Sequence, residues 1–451
     1  MYKKKISFGV LFGGIGLIVS TLSGLIIYPL LLKSSSKEIA GLWFFYISFS
    51  IIIALGEGGL APIVMRRAAK AKVDGNPDEL NHFLALIKKS FRIVTLLVTA
   101  ICLIIYFSYI HWVLLEHPHI FFEGLIAWIF FVGGNILTVS NCRNIYIING
   151  FGEVGWDKVL QIVISLFSIA GYFIALKTGA GLIGLSFVFF LSAIIYSIFS
   201  VLLLKKFTPY KDNFYKKVIL KDEIIDIFKE GGQVLILNIV AILVMNKDVF
   251  LVERFSGLTT LPLFSALNRI QVMIPAVSML IPSMMYPFIA QSYAERNYRK
   301  TFKLYWQGVI YAMIVALFLC LVLILFAGKL IPLWLGSGNY LGDTIFGLML
   351  LFALLIIHHT AHATAIISIG ANYFMWPAII NALLSLPSSY IGIKYYGIEG
   401  MIIGNIIATF FPSVYVVYYS ITYFNKLKTS ENTLTDTTEI LVPIVDNSIL
   451  K

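Results

Sequence analysis

Charge is what this sequence lacks most. Only 13% of its 451 residues are Asp, Glu, Lys or Arg, about half the roughly 25% of a soluble domain. Against that, 59% are hydrophobic and the mean hydropathy is +0.89. That balance excludes an ordinary soluble enzyme. Cysteine is scarce as well: Cys102, Cys142 and Cys320 all lie in apolar stretches, giving no disulfide framework and no metal spacing. They read as small packing residues. There is no GxxxxGK[ST] nucleotide loop and no acidic cluster for a metal, which excludes an ATP-driven pump in one chain. No cofactor is expected. With no soluble basic domain, the +11 net charge does not point to nucleic acid.

What is present instead is a series of apolar runs near the ~20 residues a bilayer demands. Twelve spans are expected, at about 8–32, 40–64, 91–112, 121–148, 156–176, 181–204, 231–253, 261–290, 305–328, 344–368, 373–394 and 398–423. The first is too long for a signal peptide and lacks a small-residue cleavage site. Alternating ten-residue segments of the barrel type are missing, so the spans are helices. The sequence is that of an all-α polytopic membrane protein.

Lys and Arg set the orientation. With the N-terminus inside, 25 of the 34 fall on the cytoplasmic side and 6 on the other, leaving Arg143, Lys247 and Arg269 within spans. This is a strong positive-inside bias, and it places both termini in the cytoplasm.

Landmarks recur at a fixed offset. Gly13 and Gly14 open span one as Gly231 and Gly232 open span seven; Gly181 and Gly184 precede Gly397 and Gly400 by 216 residues; Gly150 answers to Gly370. The expected organisation is a six-helix bundle over 1–204, a cytoplasmic linker with an amphipathic helix over 205–230, a second six-helix bundle over 231–424 and a cytoplasmic tail over 425–451. Two parallel six-helix bundles around a cleft are the architecture of a carrier working by alternating access. The 65–90 loop is expected to turn at "DGNPDE" and to begin a short helix at Pro77.

Ionised groups in hydrocarbon cost at least a few kcal/mol, so those within spans are candidates for function. In "LVMNKDVFLVERF", Lys247 and Asp248 lie near the outer end of span seven, and Arg269 lies at similar depth in span eight. Asp248 is expected to meet Arg269. Lys247, pointing about 100° away, either snorkels outward or faces the cavity. Glu57 in span two and Arg143 in span four lie at matching depth near the inner face and are expected to pair or face one another, with Gly56, Gly58 and Gly59 allowing close approach. Cations lining a cavity suit an anionic substrate, because Arg binds phosphate bidentately. In "IIHHTAHATA", His358 and His362 share one helix face, which suits cavity lining or proton coupling; the glutamate of a zinc motif is missing. Asn135, Asn141, Asn144, Asn149, Asn238, Asn246, Asn268, Gln271 and Asn381 suit either a wet lumen or helix–helix hydrogen bonds of about 0.6 kcal/mol each. Pro275, Pro282 and Pro287 predict kinks in span eight.

The end of span two, "ALGEGGLAPIVMRRAAKA", together with twelve spans and a basic loop between halves, resembles the Wzx-type polysaccharide flippases that move O-antigen or capsule repeat units. They belong to the MATE-like multidrug/oligosaccharidyl-lipid/polysaccharide exporter superfamily. The resemblance implies a MATE-like fold in a bacterial inner membrane and an undecaprenyl-diphosphate-linked oligosaccharide as cargo, flipped from the cytoplasmic to the periplasmic face. It implies a cationic lumen, mapped by position onto Arg143, Lys247 and Arg269 with Arg66 and Arg67 at the inner mouth, and Glu57 and Asp248 as charge partners. Coupling to H+ or Na+ and contact with polysaccharide polymerase or chain-length machinery follow from the same resemblance. A cation-coupled multidrug exporter of this superfamily is the alternative, but such exporters use a carboxylate in span one and residues 8–32 hold no Asp, Glu, His, Lys or Arg. Lipid II flippases usually have fourteen spans and charges in span one, and a polysaccharide polymerase or ligase shows a large outer loop.

Orientation is open to a direct test. A membrane-impermeant maleimide is expected to label a cysteine at Ser337 from right-side-out vesicles and one at Asp74 only from inside-out vesicles. The reverse pattern overturns the assignment.

Overall fold

The computed structural model describes residues 2–54, 59–208, 219–369 and 374–433. Among them the chain is all helix, with no strand. The order is α1 (Tyr2–Ser34), α2 (Lys37–Ala54), α3 (Leu60–Asp74), α4 (Pro77–Ile105), α5 (His111–Glu116), α6 (Phe121–Gly150), α7 (Val154–Lys177) and α8 (Gly181–Phe207). Then come α9 (Lys221–Ser256), α10 (Leu261–Ser278), α11 (Leu280–Ala294), α12 (Tyr298–Leu335), α13 (Asp343–Ser368) and α14 (Met375–Thr433). Seven described helices are long and apolar enough to cross a membrane, or up to eight if α10 and α11 form one bent span. The protein is a multi-pass membrane protein.

Several boundaries differ from expectation, each for a local reason. Span two does not run on to residue 64: α2 ends at Ala54, and α3 starts behind Gly59, whose φ of 67° is left-handed. Glycine takes that conformation without the Cβ clash that other residues meet. The turn at "DGNPDE" forms as expected. Gly75 (φ 66°) closes α3, and the Asn76 side chain caps α4 by accepting from the Asp78 amide at 3.0 Å. The helix from Pro77 is not short, however. It continues through a π-helical turn, Tyr106–Ile110, into α5, absorbing span three. The amphipathic linker segment likewise runs straight into span seven as α9, because nothing between Lys221 and Ser256 breaks it, Gly231 and Gly232 included. Glu223 caps its start by accepting from the Leu220 amide at 3.0 Å. Span eight breaks at Met279. Pro282 has no amide to give the Ser278 carbonyl and its ring crowds that oxygen.

The chain forms two compact units: Met1–Arg269 with Lys329–Leu341, and Ile270–Gly328 with Gly342–Lys451. The first unit thus reaches beyond the first six expected spans to take in α9. Its core is aromatic, with Trp43, Phe45 and Tyr46 fully buried on α2 and Phe131 on α6. The Tyr46 hydroxyl donates to the Gly124 carbonyl at 2.9 Å. Phe250 of α9 meets Phe45 and Phe49 edge-on. Helices α6 and α8 are joined by two rungs one turn apart, Asn141 to Ser197 and Asn144 to Ser200, each 3.1 Å. At the N-terminus of α8, the Glu123 carboxylate accepts from the Leu182 amide at 2.7 Å, supplying negative charge where the helix dipole favours it.

In the second unit, Tyr305 of α12 stacks on Phe424 of α14 with centroids 4.0 Å apart. Helix α14 breaks at Gly397 (φ 65°) and returns on itself, as the expected boundary between spans eleven and twelve requires. The two arms touch through small residues. A Cβ on Gly400 would fall 2.3 Å from the Gly392 carbonyl oxygen. Ser388 donates to the Gly404 carbonyl at 3.0 Å, and Ser389 to Asn405 Oδ1 at 2.6 Å.

The hairpin of α7 and α8 in the first unit repeats this design. Gly181 turns with φ 53° as Gly397 does with φ 65°. A Cβ on Gly184 would fall 3.0 Å from that of Ala175, and one on Gly171 would fall 2.6 Å from Val188. The contacts 184–175 and 188–171 correspond to 400–392 and 404–388 at an offset of 216 or 217 residues. The landmarks Gly181 and Gly184, with Gly397 and Gly400, are therefore the turns and close-approach points of two equivalent hairpins, as expected where packing rather than a hydrophobic drive holds helices together in lipid.

Gly184→Val and Gly400→Val are expected to destabilise by about 1–3 kcal/mol each through overpacking, read as a lower apparent Tm in detergent. Gly14→Ala, where a Cβ meets nothing within 4 Å, is expected to be neutral or slightly stabilising.

Candidate functional site

The ionisable residues expected within the membrane fall into distinct settings. Lys247 and Asp248 face each other as a pair. Lys247 Nζ lies 3.2 Å from Asp248 Oδ1, and Lys247 is only 5% exposed. This corrects the expectation that Lys247 points away from its neighbour. The backbone directions do differ by about 100°, but four methylenes let the ammonium curl back to the adjacent carboxylate. Desolvation makes that attractive for both groups, since a charge buried alone costs more than a paired one.

Arg269 on α10 lies against α1. A Cβ on Gly24 would fall 2.4 Å from Arg269 Nε and 2.9 Å from Cζ, so the guanidinium occupies the space a side chain would take. One helical turn on, Tyr28 stacks on Phe44 with centroids 4.3 Å apart, and the Trp334 indole donates to the Leu25 carbonyl at 2.7 Å. The span without Asp, Glu, His, Lys or Arg thus hosts a cation by leaving a gap for it.

Arg143 sits in a different place. It lines a cavity of about 210 Å³ together with Lys88, Lys205, Asn144, Leu84, Ile147, Val201 and Leu204. The three cations come from α4, α6 and α8. Lys247 and Arg269 do not line this cavity. Glu57, the expected partner of Arg143, lies outside the described residues, as do Gly56 and Gly58. Arg66 is exposed and Arg67 half-buried on α3. Their helix is fixed to α6 at close range: Lys72 Nζ donates to the Phe151 carbonyl at 2.5 Å, and a Cβ on Gly150 would fall 2.4 Å from the Met65 carbonyl.

In the second unit, His362 is 1% exposed and its Nδ1 hydrogen-bonds the Tyr305 hydroxyl at 2.6 Å. The His358 ring lies 4.7 Å from it, centroid to centroid. Tyr286 and Thr364 hydrogen-bond nearby on α11 and α13. Among the described residues no three His, Cys, Asp or Glu side chains come together as a metal site.

Two buried carboxylates escaped the reading of the sequence. Glu253, 7% exposed, hydrogen-bonds the Tyr109 hydroxyl carried by the π-helical turn, while its neighbour Arg254 reaches Glu116 at 3.6 Å. Asp157, 6% exposed, accepts from Gln161 at 2.9 Å and from Asn149 at 3.2 Å. Both sit at span ends, where a charge in sequence looks solvated. Their only signal was a nearby Tyr or Asn able to satisfy them.

Comparison with known structures agrees with this architecture. An inward-facing multidrug resistance MATE family transporter of the MOP superfamily superimposes with a TM-score of 0.71 at 17% identity, covering 92% of this chain and 96% of that one. An outward-facing MATE transporter of the same superfamily gives 0.62 at 18% identity, covering 95% and 97%. The lipid II flippase MurJ, in an inward closed conformation, gives 0.70 at 15% identity, covering 96% and 94%. The chain therefore has a MATE-like fold. A family model described as "Polysaccharide biosynthesis protein" matches residues 9–293, more than half of the chain, and the protein belongs to that family. No curated protein sequence matches it.

The pairing on α9 predicts a non-additive effect. Lys247→Met is expected to cost about 3 kcal/mol by leaving a desolvated carboxylate, read as a drop in apparent Tm. The double variant with Asp248→Asn is expected to recover most of that loss. Equal destabilisation by the single and double variants would show that the pair is not a unit.

Proposed function

We propose that the protein is a lipid-linked oligosaccharide flippase of a bacterial inner membrane. Its cargo is an undecaprenyl-diphosphate-linked polysaccharide repeat unit, moved from the cytoplasmic to the periplasmic face by alternating access between two six-helix bundles, with both termini in the cytoplasm. The observation that carries this reading is membership of the polysaccharide biosynthesis family over residues 9–293. The fold shared with a lipid II flippase supports it, since that relative's cargo is also a lipid-linked saccharide. So does the charge pattern: the in-span cations Arg143, Lys247 and Arg269 suit a diphosphate, and Arg66 and Arg67 suit its approach from the inner leaflet.

In this mechanism the protein catalyses no bond change. Arg269, seated in the gap at Gly24, holds positive charge at the outer half of the path, and the Lys247–Asp248 pair, neutral at rest, offers its ammonium to a passing anion. The diphosphate exchanges hydration for these groups while the lipid tail stays in the bilayer. Glu57 and Asp248 temper the cations so that the anion is released, and an H+ or Na+ gradient supplies direction, with His358 and His362 as the titratable pair. Polysaccharide polymerase and chain-length machinery receive the product.

The MATE neighbours make drug export the reading to test against. In proteoliposomes, the protein is expected to move a fluorescent undecaprenyl-diphosphate oligosaccharide to the opposite leaflet, and Arg269→Gln to slow this tenfold or more. Gradient-driven efflux of a lipophilic cationic dye without glycolipid movement would overturn the flippase reading.

A further inference from the structure

The cavity beside Arg143 has chemistry of its own. Its walls bring Lys88 from α4, Arg143 from α6 and Lys205 from α8 to one space of about 210 Å³, several times the roughly 30 Å³ that a water molecule takes in the liquid. Among the described residues no carboxylate lines it. A guanidinium and two ammoniums around one void together match the oxygens of a phosphate.

The walls grade along the void. Lys88 and Lys205 are exposed, Arg143 is half-buried and Asn144 is buried. Leu84, Ile147, Val201 and Leu204 supply an apolar side. Asn144 is fixed by its bond to Ser200 at 3.1 Å, which ties α6 to α8 along one wall. Lys205 lies two residues from the end of α8 at Phe207, and Arg143 seven residues from the end of α6 at Gly150. At 1.5 Å per residue, Arg143 and Lys205 lie within the last ~10 Å of α6 and α8, as a lipid headgroup site near a membrane boundary requires. A phosphate with a hydrocarbon chain fits this arrangement better than a free solute does.

We infer that the cavity between α4, α6 and α8 is a binding site for the phosphate headgroup of an anionic lipid in the inner leaflet, held by Lys88, Arg143 and Lys205. The phosphate has two possible sources: a bulk phospholipid, or the diphosphate of a polyprenyl-linked cargo waiting to enter. The second source rests on the flippase reading and the first does not.

The test uses the full-length protein in a neutral detergent and follows its apparent Tm with added phosphatidylglycerol, a long-chain polyprenyl diphosphate, inorganic pyrophosphate or phosphatidylcholine, since a ligand of the folded state raises its stability. One or both anionic lipids are expected to stabilise at concentrations where pyrophosphate and phosphatidylcholine do not. The concentration for half-effect should rise at least tenfold in Lys88→Gln/Lys205→Gln and in Arg143→Gln, partly recover in Arg143→Lys, and stay unchanged in Lys394→Gln, a cation of the second unit that does not line the cavity. Unchanged lipid response in the cavity variants overturns the site. So does an equal response to pyrophosphate, which would mark a free-anion site. The double Lys variant alters exposed residues and keeps the test valid if Arg143→Gln fails to fold. If that variant loses lipid response yet still flips glycolipid in proteoliposomes, the site is a bulk-lipid site; if the unaltered protein responds to lipid but moves no glycolipid, the functional reading fails while the site stands.

Discussion

Hydrocarbon offers no partner to a polar group, and nearly every feature of this protein answers to that constraint. Backbone amides and carbonyls must bond within their own segment, so the described chain is helix throughout. Side chains follow the same rule: Asn141 and Asn144 find Ser197 and Ser200, Ser389 finds Asn405, and His362 finds Tyr305. Helices in lipid gain little from hiding one another's apolar faces. They are held instead by close approach at glycine and by these buried hydrogen bonds, which is why the two hairpins that turn at Gly181 and Gly397 share their contacts. Equivalent packing at a constant offset suggests that the constraint was met once and then duplicated.

The charged residues are where the constraint is only partly satisfied, and their settings differ in kind. Lys247 is neutralised by its sequence neighbour, so it adds little net field around it. Arg269 is accommodated by a missing side chain at Gly24, which gives its guanidinium space. Arg143 shares a void with two more cations, Lys88 and Lys205. A group held neutral stabilises the fold, whereas a group held in concert with like charges has an interaction in reserve for a ligand. Under the proposed function the Arg143 cavity and the Arg269 seat would be the anion-seeking places of the first unit, and the α9 pair a structural tie.

Much of the fold was legible because a twenty-residue apolar run admits few other structures, and a glycine at the start of a span marks a turn or a near contact. The joins between elements were harder to read. Whether an amphipathic segment stops before a span or runs into it depends on whether any residue breaks the helix. Pro77 begins one and Gly231–Gly232 fails to end another. Side-chain direction was harder still: periodicity placed Lys247 away from Asp248, but a flexible stem erased that difference. Lys88 and Lys205 were passed over because each, alone at a helix end, is an ordinary inner-leaflet anchor. Only the packing of α4, α6 and α8 shows that they share one space with Arg143.

That sharing bears on how a carrier of this fold could select its cargo. A saccharide presents hydroxyls that vary from one repeat unit to another, while the lipid-linked diphosphate is constant. A protein that reads the constant part with cations and leaves the variable part to a broad polar surface can accept different sugars with one mechanism. In the second unit Tyr286 with Thr364 and Tyr293 with Tyr423 are pairs of neutral hydroxyls, whereas the cations singled out above, Arg143, Lys247 and Arg269, all belong to the first. Under the proposed function, the division of labour that follows would be electrostatic capture by the first unit and sugar accommodation by the second. Specificity for the saccharide would then be altered by changing hydroxyl-bearing residues on α11, α13 and α14 without touching the site that holds the phosphate.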